Sequence, residues 1–389
     1  MRRPIQFLLA IVSLIFACED QGVDPTRSDS QPTLALFVGL DGGTNRSGLW
    51  TLDADSLNPL DSLTTSGPPF SLVSSFSGEI YYSVWISYLP NFQYSYDLYA
   101  IHARPLSIVS RKTVTASSYG LASDKDQHFL LVYFIGVETI DRQTLSMVRR
   151  DTSVGFVFHA TPSRKENKVF LTRVSNVFKG IVEYDIPSAN IERTIEVADS
   201  SRRKNMEPAD LIISPDGNFA FFSVFNHSLS GGGYNSFFHI DLSSGNVLSE
   251  HRCGAFAQLV VSPDGKKVYL SDPAGYLYGF FGSDDILVYD VASRTMSVFL
   301  DKPIDLGLVG SMFISDKMQV HPDGSSIYIS LRGGENVKSR DGRQVHIIKV
   351  DIGSKKLLQS FSLPVDSSGS PNRSITMIKL STYPRVGLR

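Results

Sequence analysis

The chain has 389 residues, 42% of them apolar, with 37 basic against 39 acidic side chains and a formal net charge of −2. That mixed balance argues against a nucleic-acid partner, which asks for a basic face. Two cysteines in a chain this long are too few for a disulfide-rich scaffold.

The first element is a leader. Met1-Arg2-Arg3 is basic, and Ile5 to Phe16 is an apolar run too short for a comfortable membrane span. Ile15-Phe16-Ala17-Cys18 then resembles a bacterial lipobox, whose cysteine is acylated and becomes the mature N-terminus. Phe16 departs from the small residue usual there, so plain cleavage after Ala17 is the alternative. The expectation is a signal peptide over 1–17, a lipidation site at Cys18, and a flexible polar tether over 18–33. This places the protein in the bacterial cell envelope, held to a membrane by its lipid, at the outer membrane on the periplasmic or surface side.

From Leu34 onward the chain reads as repeated β-units, so the propeller domain is expected over 34–389. One marker is an apolar pair ending in Asp, at Asp53, Asp141, Asp185, Asp241, Asp290 and Asp351. A further strand begins six residues after each, and His102 takes the place of Asp in one unit. The other marker is Ser214-Pro215-Asp216-Gly217, Ser262-Pro263-Asp264-Gly265 and His321-Pro322-Asp323-Gly324. Pro presets φ, Asp bonds its own backbone and Gly accepts positive φ, so each joins two antiparallel strands. Leu34 to Thr65 supplies three strands of a first unit. Complete units follow at 71–114, 116–152, 155–197, 208–253, 255–300 and 312–363. Ser374 to Val386 is left over and fits the missing strand of the first unit. The fold expected is therefore all-β, a seven-bladed β-propeller whose first blade is closed by N- and C-terminal strands.

Ser262 to Ser271, followed by Asp285-Ile-Leu-Val-Tyr-Asp-Val-Ala-Ser-Arg294, resembles the YVTN-type, lactonase-like, seven-bladed propeller repeat. The motif is structural. The resemblance implies a fold shared by surface-layer and adhesive proteins and by lactonases, and it does not fix an activity.

In such a unit the long connections fall between strands B and C or between blades, on one face of the disc. Long connections carry function more often than stability. The candidate ligand-binding residues on them are Tyr94, Tyr96, Arg203, Tyr234, Tyr276, Tyr278, Arg332 and Arg340. Aromatic faces with polar tips beside Arg suit a protein, glycan or peptide partner. The alternative for each aromatic is that it pins its loop to the propeller.

No metal-ligand spacing such as His-Glu-x-x-His occurs, so no metal site and no cofactor is expected. Loop carboxylates (Asp41, Asp210, Asp272, Asp284, Asp285, Asp316 and Glu335) and His159 on an inner strand keep a second reading open. That reading is a hydrolase or lactonase at the channel mouth, with a divalent metal or a channel-facing acid–base pair, and catalytic residues that the sequence does not identify. The first reading is an envelope-anchored binding module.

Overall fold

The computed structural model describes residues 33–41, 47–65, 67–74, 80–88, 94–103, 105–114, 118–123, 128–133, 136–163, 168–174, 179–197, 206–226, 235–254, 257–271, 285–300, 313–333, 345–362 and 374–383. The expected leader, Cys18 and the tether as far as residue 32 lie outside them, and Thr33, expected at the end of the tether, already belongs to the first strand.

Sheet 1 takes β1 (Thr33–Asp41), β2 (Ser47–Asp53) and β3 (Pro59–Thr65). Sheet 2 is β4 (Pro69–Ser74), β5 (Ile80–Tyr88), β6 (Tyr94–Ala103) and β7 (Leu106–Val114). Sheet 3 is β8 (Ser118–Ser123), β9 (His128–Tyr133), β10 (Gly136–Asp141) and β11 (Met147–Asp151). Sheet 4 is β12 (Phe156–Pro162), β13 (Lys168–Val174), β14 (Lys179–Asp185) and β15 (Asn190–Glu196). Sheet 5 is β16 (Met206–Ile213), β17 (Phe219–Asn226), β18 (Asn235–Asp241) and β19 (Val247–Cys253). Sheet 6 is β20 (Leu259–Val261), β21 (Lys267–Ser271), β22 (Ile286–Asp290) and β23 (Thr295–Leu300). Sheet 7 is β24 (Phe313–Val320), β25 (Ser326–Gly333), β26 (Val345–Asp351) and β27 (Leu357–Ser362). The last strand, β28 (Ser374–Tyr383), pairs antiparallel with β1 and makes sheet 1 four-stranded. Every sheet is antiparallel, sheets 2 to 7 are meanders of consecutive strands, and the architecture is a β-propeller.

Burial follows from position in the sheet. The third strand, β18, is buried along almost its whole length, because sheets cover both of its faces. The outer strand β15 alternates exposed and half-buried residues, because one face meets solvent. The cores lie between sheets. Ile181, Ile195, Leu211, Phe222 and Phe238 join sheets 4 and 5. Leu36, Leu52, Tyr328 and Ile347 join sheets 1 and 7.

Both turn markers do what their chemistry requires. Ser214 Oγ donates to Asp216 Oδ1 at 2.6 Å and accepts the Phe219 N–H at 2.9 Å. Ser262 repeats the pattern at 2.7 and 2.9 Å. Gly217, Gly265 and Gly324 have φ of 68°, 72° and 76°. A Cβ on Gly265 would lie 3.4 Å from Pro215 Cδ, so neighbouring turns stack Gly on Pro. In the Asp turns the carboxylate accepts main-chain N–H groups two or three residues on, as with Ser243 and Ser244 on Asp241. The residue four after each Asp sits at positive φ: Leu57, Leu145, Ala189, Gly245, Arg294 and Lys355. Five of these six are not glycine, so the turn imposes the left-handed conformation on whatever residue is there. His102 does not follow the Asp pattern. Ala103 pairs directly with Leu106 across a two-residue turn, and β7 starts earlier than a six-residue spacing predicts.

Candidate functional site: the loop-bearing face and the channel

Connections at one end of the sheets are short. Each first-to-second and third-to-fourth strand turn has at most five residues. At the other end lie the long ones: 227–234, 272–285 and 334–344 within sheets 5, 6 and 7, and 197–205, 301–312 and 363–373 between sheets. Arg203, Tyr234, Tyr276, Tyr278 and Arg340 fall on these connections, outside the described residues, as do Asp272, Asp284 and Glu335. Arg332 is in β25, paired with Val345 and Ile314.

Tyr94 and Tyr96 are not loop residues. The β5–β6 ladder runs out to Tyr88↔Tyr94, and Tyr96 pairs with Ile86 on one side and Val114 on the other. Tyr96 is half-buried. Alternating aromatic and β-branched residues on both strands extend the hairpin and leave only 89–93 between them.

The structure adds a feature that the sequence motifs leave out. The innermost strand of six sheets carries a register shift opposite its neighbour, at Phe70, Tyr119, Phe158-His159, Ala209, Asp316-Lys317 and Thr376. β-Bulges re-aim side chains and bend a strand, which is what an inner strand lining a channel requires. In sheets 4 and 7 a buried hydroxyl on the second strand holds this point, and in sheet 6 one holds the matching position of an inner strand that carries no register shift among the described residues. Thr172 Oγ1 accepts the His159 N–H at 2.9 Å, Ser271 Oγ the Gln258 N–H at 2.9 Å, and Ser330 Oγ the Lys317 N–H at 2.8 Å. In sheet 5 the matching Ser223 pairs with Asp210 and donates instead to Ala257 O at 2.8 Å in sheet 6. A sequence signal for this existed: Ser223, Ser271 and Ser330 each stand six residues after the Gly of the turn motif.

The rung so formed holds His159, Asp210, Gln258 and Lys317 at one level of four successive inner strands, all half-buried. Asp210 is fixed by two main-chain donors. Its Oδ1 accepts the Leu211 N–H at 2.8 Å, and its Oδ2 accepts the Leu259 N–H at 2.8 Å from the next sheet. Burial lowers the His159 pKa, the Asp210 charge opposes that shift, and the Lys317 charge adds to it. Among the described residues, His, Cys, Asp and Glu form no group of three suited to a metal ion.

No protein-family model and no curated protein matches the chain. Solved structures do. A candidate 6-phosphogluconolactonase from Bacteroides uniformis superposes with a TM-score of 0.62 at 14% identity, over 90% of this chain and 100% of that one. A protein from Lactobacillus plantarum gives 0.60 at 15%, over 90% and 99%. Kuenenia stuttgartiensis hydrazine synthase gives 0.58 at 15%, over 82% and 96%. At such identities the likeness is one of fold, and the two titles that name an activity name unrelated chemistries.

Proposed function

We propose that this protein is an envelope-anchored binding module, a closed ring of seven blades whose loop-bearing face engages a protein, glycan or peptide. The observation that carries the reading is the one-sided distribution of the long connections, concentrated over sheets 5, 6 and 7. Closure is supported by contacts between inner strands in the cyclic order β28, β4, β8, β12, β16, β20, β24 and back to β28. The anchor is the acylated Cys18.

Two experiments test this. Replacing 272–284 and 334–344 by short Gly-Ser turns is expected to leave the melting temperature nearly unchanged, because loop length alone costs little. It is expected to abolish cross-links to envelope partners or glycans in cells, and cross-links that persist would sink the reading. Cys18→Ala is expected to move the protein from the membrane to the soluble fraction, and a variant that stays with the membrane removes the lipid anchor.

A second reading draws on the candidate lactonase neighbours together with His159 lying near Asp210. It predicts hydrolysis of a sugar-type lactone that is lost in His159→Ala. Hydrolysis no faster than the uncatalysed rate rejects it.

A further inference from the structure

The second strand of each sheet starts at the short-turn end and runs towards the long connections. In sheets 5, 6 and 7 it is entered through Pro-Asp-Gly and one residue more, Asn218, Lys266 or Ser325. The carbonyl of that residue accepts the N–H of the residue after the strand-ending Asp. Leu242 donates to Asn218 O at 2.8 Å, Val291 to Lys266 O at 2.9 Å and Ile352 to Ser325 O at 2.8 Å. In sheet 1 the second strand is β1, and Leu34 O takes the same place, accepting the Ala54 N–H at 3.1 Å. The start of β1 thus stands where the other sheets carry their Pro-Asp-Gly turn, and the chain enters the propeller at the short-turn end. The ladder with β28 agrees, with Thr33↔Tyr383 at that end and Asp41↔Ser374 at the other. The entry point and the long connections therefore lie at opposite ends of the sheets.

Covalent reach adds to this. Residues 19–32 separate Cys18 from Thr33, and a segment of that length spans at most about 50 Å. A strand of seven residues such as β18 is about 20 Å long, which sets the distance between the two ends of a sheet. To lay the long connections on the membrane, the tether would first cross β2 and β3, about 10 Å, and then run down a full strand length, about 20 Å. That path takes more than half of its reach before any allowance for the long connections themselves. With the short-turn end towards the membrane, none of that length is needed.

We propose that the short-turn end faces the anchoring membrane and the loop-bearing face points away from it, so that the partner approaches from the compartment beyond and is not embedded in that membrane. The inference rests on the lipid anchor at Cys18 and deepens the binding-module reading by assigning the side from which a partner is taken. The loop-bearing face then stands no farther than about 70 Å from the membrane, one extended tether and one strand length.

The test uses the full acylated chain in phospholipid vesicles whose outer headgroups carry an energy-acceptor dye. An azide-bearing residue, which leaves the native thiols untouched, replaces either Lys266 or Ser283 and carries the donor dye. Lys266 lies in the short first-to-second strand turn of sheet 6, and Ser283 in the long connection 272–285 of the same sheet. The two labels thus mark the two ends of one sheet. The Lys266 side chain is 77% exposed, and its main-chain bonds to Asp264 and Val291 survive the substitution. An unchanged melting temperature verifies that each variant folds. Energy transfer is expected to be stronger from position 266 than from position 283. Equal transfer from the two, or stronger transfer from 283, overturns the orientation and leaves the anchor standing. Transfer from neither also overturns it, and recovery of the chain apart from the vesicles then shows that the anchor itself has failed.

Discussion

His239 shows how one buried polar residue links packing to pH. It is 1% exposed, between the third strands of sheets 5 and 6. Its Nδ1 meets Tyr289 Oη at 2.9 Å, and that hydroxyl also meets Ser249 Oγ at 2.7 Å. Phe219 and Phe221 pack against its ring at centroid distances of 4.8 and 5.0 Å, and Nε2 has no hydrogen-bond partner among the described residues. Burial, and then the Arg294 charge, drives its pKa down to about 4, against an opposing effect of Asp241. The unfolded chain therefore binds the proton more readily than the fold does. Full stability is present above pH 6.5, the ordinary histidine value, and is lost as pH falls towards about 4. The size of that loss is on the order of 3 kcal/mol. His239→Phe leaves Tyr289 its bond to Ser249 and removes the titration. Urea unfolding across this range is expected to give a shallower pH dependence in His239→Phe than in the parent, and parallel curves would show that His239 is not the source.

At the scale of the element, the bulged inner strand of sheet 4 is held by a hydroxyl. Thr172 is fully buried, and its Oγ1 accepts the N–H groups of both Phe158 and His159. Thr172→Val keeps the shape and leaves those donors without that acceptor, at a cost of about 1–3 kcal/mol. Equilibrium unfolding is expected to register that loss, and the His159 imidazole resonance in NMR spectra is expected to move with it. An unchanged midpoint would mean that the bulge holds itself. The same element separates what the sequence makes legible from what it conceals. Pro-Asp-Gly and the strand-ending Asp are local rules, satisfied within five residues or so, and they place nearly every strand within a few residues of its bounds. The bulge is a rule between strands: one extra inner residue, held in sheets 4 and 7 by a Thr or Ser that looks like any other polar strand residue. The hairpin of Tyr94 and Tyr96 fails for a related reason, since tyrosines read as loop aromatics are also good strand formers, and only pairing with Ile86 and Val114 decides between the two. The candidate residues of the binding face follow from loop length alone, and of the eight only Tyr94, Tyr96 and Arg332 fall within the described residues, all three of them in strands.

For the whole molecule, the two ends of the chain meet in sheet 1, and sheet 7 packs against it. β28 pairs with β1 from Thr33↔Tyr383 to Asp41↔Ser374, and it also touches β24 and β4. A second grip lies at the short-turn end. Buried Lys349 donates to Ala54 O at 3.1 Å and to Asp55 O at 3.3 Å, and Tyr328 Oη donates to Ala54 O as well. His321 replaces the Ser of the other turns. Its Nδ1 lies 2.6 Å from Asp323 Oδ1, as the Ser hydroxyls do with their own Asp, while its Nε2 lies 3.7 Å from Asp55 Oδ1. The one departure in the motif thus occurs where the last sheet must grip the first. Removing 374–389 deletes β28, exposes the β1 ladder and leaves β24 and β4 without the strand between them. An unpaired edge of that kind recruits another strand or unfolds. The truncated chain is expected to be largely unfolded, or to form higher oligomers in sedimentation experiments. A synthetic peptide of residues 374–389 added in trans is expected to restore a monomeric complex with the melting profile of the intact protein. The grip of Lys349 and Tyr328 on Ala54 remains in the truncated chain, so a truncated monomer as stable as the parent would show that this grip alone holds sheets 7 and 1 together, and that pairing of the chain ends does not.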